Sequence, residues 1–172
     1  MQNKKRTKLR AIFQRYFPGK LYYWLFTKRG KALSKKDFAK IKSIDKDFYQ
    51  VISSRRCTGY CYFVCQYMAQ LLKKGSVAYI AKKDLLSTDK TSYRIHVLYI
   101  NNDWIFDTIT RRQYPVDKFL KMCDGKIFRC FSYSDFKDYD NIDDFYSTFK
   151  DELTRWCNDN NCEMFAQREV LI

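Results

Sequence analysis

The chain contains a single histidine, His96, and its position relative to one aspartate indicates an acid–base pair. Residues 93–100 and 104–110 have the composition of strands. Asn101-Asn102 between them suits a two-residue hairpin loop, because asparagine accepts positive φ. That loop places His96 directly opposite Asp107, with Cα atoms about 4.5–5.5 Å apart. The carboxylate then accepts the imidazole N–H and fixes its tautomer, whereas a one-residue shift of register would separate the two side chains.

Cys61 is the candidate nucleophile because it begins a predicted, largely buried helix over residues 61–74. The first turn of a helix has unpaired backbone N–H groups and the positive end of the macrodipole, and both favour a reactive thiolate. Gly59 allows a tight approach into that turn. A nearby imidazole would complete a thiolate–imidazolium pair, and backbone N–H groups could form an oxyanion hole.

Other interpretations of these cysteines stay open. Cys57 and Cys65 recur with Cys61 at intervals of four, so either could be the reactive thiol, and a free cysteine is often only a small buried hydrophobe. Gln66 and Trp24 are weak candidates for a side-chain oxyanion donor. Zinc is disfavoured because the short paired spacing of cysteine sites is missing. No phosphate-binding glycine loop is present either, so we predict neither cofactor nor metal.

Two blocks of the chain resemble the transglutaminase-like branch of the papain-fold cysteine enzymes. The first is Gly59-Tyr60-Cys61, followed by an apolar helix and a glycine fourteen residues after the cysteine; the second is His96 followed by Trp104 and Asp107. The resemblance implies a papain-like α+β core with the nucleophile helix packed on an antiparallel sheet. It also implies Cys61 as nucleophile, His96 as general base and acid, and Asp107 as the carboxylate that orients His96.

The elements expected around this site also predict an α+β fold. An N-cap at Ser34 precedes helical spacing that continues to Ile52, and Gly75 is a natural end for the Cys61 helix. A helix followed by three strands favours an antiparallel sheet. The further elements expected are a strand at 77–81, a short helix at 119–122, a strand at 127–131, and one helix carrying Phe145, Phe149, Leu153 and Trp156.

Composition and charge set the domain boundaries. The 172 residues are 46% hydrophobic and 18% aromatic, which excludes disordered and collagen-like chains and fits one globular domain. The net charge is +14, yet fourteen basic residues and one acid, Asp37, lie in the first 42 positions, whereas the rest holds 19 basic and 18 acidic residues. We therefore predict a basic, aromatic-containing N-terminal extension at 1–42 and a single α+β catalytic-type domain at 43–172.

The extension has helical spacing from Leu9 to Phe17 and an aromatic run at 21–26 that is too short to cross a bilayer. Such a segment either lies on an anionic membrane or nucleic acid, or packs on the domain with solvated lysines. No signal-peptide pattern is present, and seven cysteines without paired spacing favour a reducing compartment. We expect the cytoplasm, with membrane association left open.

Two functions follow, and a catalytically inactive relative that serves as a scaffold is a third. The first is a cysteine-dependent acyl-transfer enzyme with a protein or peptide amide substrate, most simply an amide hydrolase (a cysteine protease or a glutamine deamidase); an amine acceptor would make it a transglutaminase. The alternative is a non-enzymatic binding module whose basic segment holds nucleic acid or an anionic membrane. A steep loss of binding with salt, abolished by deleting residues 1–42, distinguishes that module.

Overall fold

Three helices precede the sheet in the computed structural model, which describes residues 30–53, 61–83 and 93–164. These helices are α1 (Lys35–Ile44), α2 (Lys46–Ser53) and α3 (Cys61–Leu72). The predicted N-cap is present, since the Ser34 hydroxyl accepts the Asp37 backbone N–H at 3.1 Å. The first 29 residues, the segment from Cys57 to Tyr60 and their predicted features, Trp24 and Gly59 included, lie outside the described residues.

The predicted helix from Ser34 to Ile52 is two helices, because Asp45 interrupts it. Asp45 has an extended backbone, with φ −141° and ψ 100°. Its carboxylate accepts the backbone N–H of Phe48 at 2.8 Å and the hydroxyl of Tyr67 on α3 at 2.9 Å. Asp45 therefore caps α2 and joins it to α3.

Six strands and four further helices follow in the described part of the chain. In chain order they are β1 (Ser76–Lys83), β2 (Tyr93–Asn101), β3 (Trp104–Asp107), β4 (Arg112–Pro115), α4 (Val116–Cys123), β5 (Lys126–Ser132), α5 (Tyr133–Phe136), α6 (Ile142–Ser147), α7 (Lys150–Asp159) and β6 (Cys162–Glu163). The strands form one sheet in the spatial order β4-β3-β2-β1-β5, with β6 beside β2. Neighbouring strands are antiparallel except for the parallel β2–β6 pair.

Each face of the sheet has its own apolar core. One face packs against α3, α6 and α7, and alternate residues of β1 and β2, such as Tyr79 and Val97, belong to it. The other face packs against α4 through a smaller cluster that includes Ile80, Leu98 and Phe119. Since successive strand residues point to opposite faces, both sides of β1 and β2 are buried.

The structure is a mixed helix and antiparallel-sheet fold, which confirms the predicted α+β class. The sequence boundary expected between residues 42 and 43 falls inside α1, where Ile41 is fully buried. The single helix predicted to carry Phe145 and Trp156 is α6 and α7, and the strand expected to reach residue 110 ends at Asp107. Within the described ranges, every helix is too short or too polar to cross a membrane.

Candidate active site

The α3 helix begins at Cys61, a buried residue that is only 7% exposed to solvent. One turn later, the Cys65 thiol donates to the backbone carbonyl of Val97 on β2 at 3.3 Å. That carbonyl lies just beyond the last β2–β3 pair, Tyr99 with Phe106. The start of α3 is therefore set against β2 at the point where β3 ends, and Cys65 has a structural role there.

The β2–β3 hairpin turns one residue later than predicted. Its loop is Asn102-Asp103, which have φ values of 48° and 60°, and the ladder pairs Ile100 with Ile105. The predicted register was therefore wrong by two positions, since a register continued along β2 sets Asp107 beside Leu98 and not beside His96. A shift of two positions keeps each side chain on its original face, because the side-chain period of a strand is two.

His96 and Asp107 are thus diagonal neighbours on one face, and their side chains meet. The Nε2 atom of His96 lies 2.6 Å from Oδ1 of Asp107, and both side chains are 3% exposed. Diagonal pairs in an antiparallel sheet remain within reach of long side chains. The structure therefore brings together the two residues that the sequence paired, through a different register.

The Asp107 carboxylate accepts four hydrogen bonds. Besides His96, the donors are the backbone N–H of Ile109 at 3.3 Å, and the backbone N–H and hydroxyl of Thr110 at 3.0 and 2.7 Å. The Thr110 hydroxyl in turn accepts the Tyr114 hydroxyl at 3.1 Å. Burial acts to raise the pKa of Asp107, but the His96 bond and charge, the Lys82 charge and the Thr110 bond outweigh it, so the pKa lies well below its ordinary value.

The ionised Asp107 fixes the state of the imidazole. Because a carboxylate only accepts, Nε2 of His96 carries the proton in this bond and Nδ1 is left for its other neighbour. Burial and the Lys82 ammonium act to lower the pKa of His96, but the Asp107 bond and the hydrogen bond and charge of Cys61 outweigh them. The pKa of His96 is therefore raised above its ordinary value, which favours the imidazolium form.

These contacts place Cys61, His96 and Asp107 in one connected series. His96 interacts with Cys61 on one side and with Asp107 on the other. The arrangement can transfer a proton from thiol to imidazole while a buried carboxylate balances the new charge. Of the weaker candidates, Gln66 is fully buried on α3, and within the described ranges neither of its amide atoms has a hydrogen-bond partner.

Three residues of the site were not predicted: Thr110, Tyr114 and Lys82. Thr110 had a local signal, since an Asp followed three residues later by Thr can form an Asx-type turn in which the carboxylate accepts the N–H. Tyr114 reaches the site through β4, a strand that contains Pro115 and was not expected. Lys82 lies half-buried near the end of β1, and its charge acts on both His96 and Asp107.

Two of the cysteines outside α3, Cys157 and Cys162, form a separate pair. The thiols of Cys157 and Cys162 hydrogen-bond to each other, and burial, with the Cys157 thiol, raises the pKa of Cys162 to about 12. Both thiols are therefore harder to ionise than an ordinary cysteine. Among residues 30–53, 61–83 and 93–164, no three His, Cys, Asp or Glu side chains are grouped closely enough to hold a metal ion.

No family model, curated protein or solved structure matches this chain. The chemical role of the site is therefore inferred from its geometry alone. Its main features are a cysteine at the start of a helix, a buried histidine beside it, and a carboxylate that accepts four hydrogen bonds.

Proposed function

We propose that the chain is a cysteine-dependent acyl-transfer enzyme that hydrolyses amides of a protein or peptide. The observation that carries the proposal is the buried His96, which interacts with Cys61 and lies 2.6 Å from Asp107. A buried imidazole–carboxylate pair next to a thiol at a helix N-terminus is the arrangement that activates a cysteine nucleophile. The packing of α3 on the sheet is in keeping with a papain-like, transglutaminase-like core.

The proposed reaction begins with transfer of the Cys61 thiol proton to Nδ1 of His96. The thiolate sulfur then attacks the amide carbonyl carbon, and the carbonyl electron pair moves to the oxygen to form a tetrahedral oxyanion. When that intermediate collapses, the C–N bond breaks and His96 gives its proton to the leaving amine. The product on the enzyme is a thioester at Cys61.

Water completes the proposed cycle. His96 accepts a proton from water as its oxygen attacks the thioester carbon, and the thiol leaves as Cys61 regains the proton. We propose water as the acceptor because it needs no second binding site for an amine. A peptide-bond substrate makes the enzyme a protease, and a glutamine side chain makes it a deamidase.

The first test measures the rate at which iodoacetamide alkylates Cys61 near neutral pH, with the modified cysteine located by mass spectrometry. An unactivated buried thiol reacts more slowly than the same thiol in the urea-unfolded chain. Activation by His96 predicts the opposite order, and a slower rate in His96→Gln. Cys65→Ala is the matched control and should leave the rate unchanged, because the Cys65 thiol donates its hydrogen bond to the Val97 carbonyl and not to His96.

The second test uses p-nitrophenyl acetate, an activated ester that reports acyl transfer by release of p-nitrophenolate. We expect release from the native protein and from Cys65→Ala, and its loss in Cys61→Ala. If native Cys61 reacts with neither reagent faster than an unstructured thiol does, the proposed function is wrong.

A further inference from the structure

Tyr79 on β1 has a buried hydroxyl for which the fold offers no hydrogen-bond partner. The side chain is fully buried, and within the described ranges its Oη atom has no partner. Buried tyrosine hydroxyls usually find a partner, since leaving a polar group desolvated and unpaired is costly. An unpaired donor of this kind calls for a functional explanation.

The backbone register sets Tyr79 close to the start of α3. Tyr79 is paired with Val97 on β2, so the two side chains share the sheet face that packs against α3. The Val97 carbonyl accepts the Cys65 thiol, one turn after Cys61. His96 precedes Val97 and therefore points to the opposite face. Tyr79 therefore lies on the side of the sheet against which α3 packs, in the same apolar cluster as Cys61.

The Tyr79 ring is held by a set of aromatic neighbours. It stacks on Tyr146 with centroids 6.4 Å apart and meets Phe149 and Phe131 edge-on at 5.0 and 5.9 Å. Tyr146 also packs 5.8 Å from Tyr62, the residue that follows Cys61. These contacts fix the direction of the ring, so the position of the hydroxyl is set before any substrate binds.

The hydroxyl also keeps its proton. Burial raises the pKa of Tyr79 well above its ordinary value, and the charge of Cys61 is the next largest cause, followed by that of Tyr146. A tyrosine in this environment stays protonated near neutral pH and can therefore donate a hydrogen bond. Of the charges that act on the hydroxyl, that of Cys61 has the largest effect.

We propose that the Tyr79 hydroxyl donates a hydrogen bond to the oxyanion that forms when Cys61 attacks a carbonyl. The inference rests on the proposed function and names the side chain that would stabilise its transition state. A donor that is unpaired in the resting protein and meets a charge only during the reaction favours the transition state over the ground state. Two other buried side chains of the described ranges also have unpaired donors. Gln66 lies five residues after Cys61, about 7.5 Å further along the helix axis, and Thr108 lies in the turn that follows Asp107.

Tyr79→Phe tests this role with two reagents that differ in one respect. p-Nitrophenyl acetate reacts through a tetrahedral oxyanion, whereas iodoacetamide reacts at a saturated carbon and forms none. We expect acylation of Cys61 by the ester to fall about 10²-fold, the order of magnitude for loss of one oxyanion donor. Alkylation by iodoacetamide should stay within about twofold of the native rate, since that reaction forms no oxyanion for the hydroxyl to stabilise.

Tyr99→Phe is the matched control, because Tyr99 is a buried tyrosine on β2 whose hydroxyl donates to the Lys74 carbonyl at 3.3 Å. It should leave both rates unchanged. The thermal midpoint provides the second measurement: Tyr79→Phe loses no hydrogen bond and should melt at or above the native temperature, whereas Tyr99→Phe should melt below it.

Each remaining outcome overturns either this inference or the proposed function, and the two are distinguishable. Equal ester rates in Tyr79→Phe and the native protein overturn the inference alone. A parallel fall of both rates also overturns it, because the hydroxyl would then act on the thiolate or on the fold. If native Cys61 reacts with neither reagent, the proposed function is wrong.

Discussion

Replacing Asp107 by asparagine leaves the size of the side chain unchanged but introduces a donor where only an acceptor fits. All four groups that bond Asp107 are donors, from His96, Ile109 and Thr110. Thr110 cannot reverse its hydroxyl at no cost, because that oxygen already accepts the Tyr114 hydroxyl. The asparagine NH2 group must therefore face a donor unless one partner changes its tautomer, and His96 is the partner that can do so.

The expected arrangement of Asp107→Asn directs the amide oxygen to Thr110 and the amide NH2 to Nε2 of His96. The proton of the imidazole then moves to Nδ1, which can no longer accept the proton of Cys61. Holding a catalytic histidine in the wrong tautomer costs about 10⁴ in turnover in serine enzymes, so we expect ester acylation to fall by about 10³–10⁴. Loss of one hydrogen bond to a charged group should lower the free energy of unfolding by about 1.5–3 kcal/mol.

The lone histidine makes the measurement direct. An untagged protein gives one imidazole signal, so proton–nitrogen correlation spectra report the tautomer and pKa of His96 without assignment. In Asp107→Asn, burial and the Lys82 charge still lower that pKa, whereas the Asp107 contribution that raised it is gone. The pKa of His96 should therefore be lower in the variant than in the native protein.

Thr110→Val provides the matched control, because it removes one bond to Asp107 and leaves the carboxylate charge in place. It should lower stability by about 1–3 kcal/mol, because the Thr110 hydroxyl loses its bonds to Asp107 and from Tyr114, with the His96 tautomer unchanged. The reasoning fails if Asp107→Asn keeps the native pKa and tautomer of His96 and acylates at a rate within about twofold of native.

Two further predictions concern pH and the start of the domain. Because the pKa of His96 is raised on folding, His96 stabilises the fold below its ordinary pKa of 6.5, and this stability is lost as the pH rises through the folded value. Because the pKa of Asp107 is lowered, Asp107 stabilises the fold above its ordinary pKa of 3.8, and this stability is lost as the pH falls. The free energy of unfolding, measured with urea, should therefore be greatest between pH 3.8 and 6.5. His96→Gln should remove the decline above pH 6.5. A native free energy of unfolding that rises from pH 6.5 to 8 would contradict the assignment. Ile41→Ala should cost about 2–5 kcal/mol because Ile41 is fully buried, whereas Ile44→Ala, at a residue 53% exposed, should stay within about 0.5 kcal/mol; equal effects would show that α1 is no part of the core.

The elements with strong local signals could be predicted, and those that depend on distant partners could not. Ser34 and Gly75 act through their own neighbours, the first as an N-cap and the second at a φ of 81°, so composition and spacing suffice. The break at Asp45 depends partly on the Tyr67 hydroxyl, 22 residues away. The two-residue strand β6 exists only through its pairing with β2, and no pattern of two residues specifies a strand.

The candidate pair of His96 and Asp107 could be predicted although the turn that joins their strands was placed one residue too early. A strand has a side-chain period of two, and moving a two-residue loop by one position changes the pairing by two, so both side chains remain on one face. The error still changes the geometry. The two residues are diagonal neighbours, and the atom found 2.6 Å from Oδ1 is Nε2, the ring nitrogen further from the backbone. Nδ1, the ring nitrogen nearer the backbone, is therefore the one left to accept the Cys61 proton in the proposed reaction.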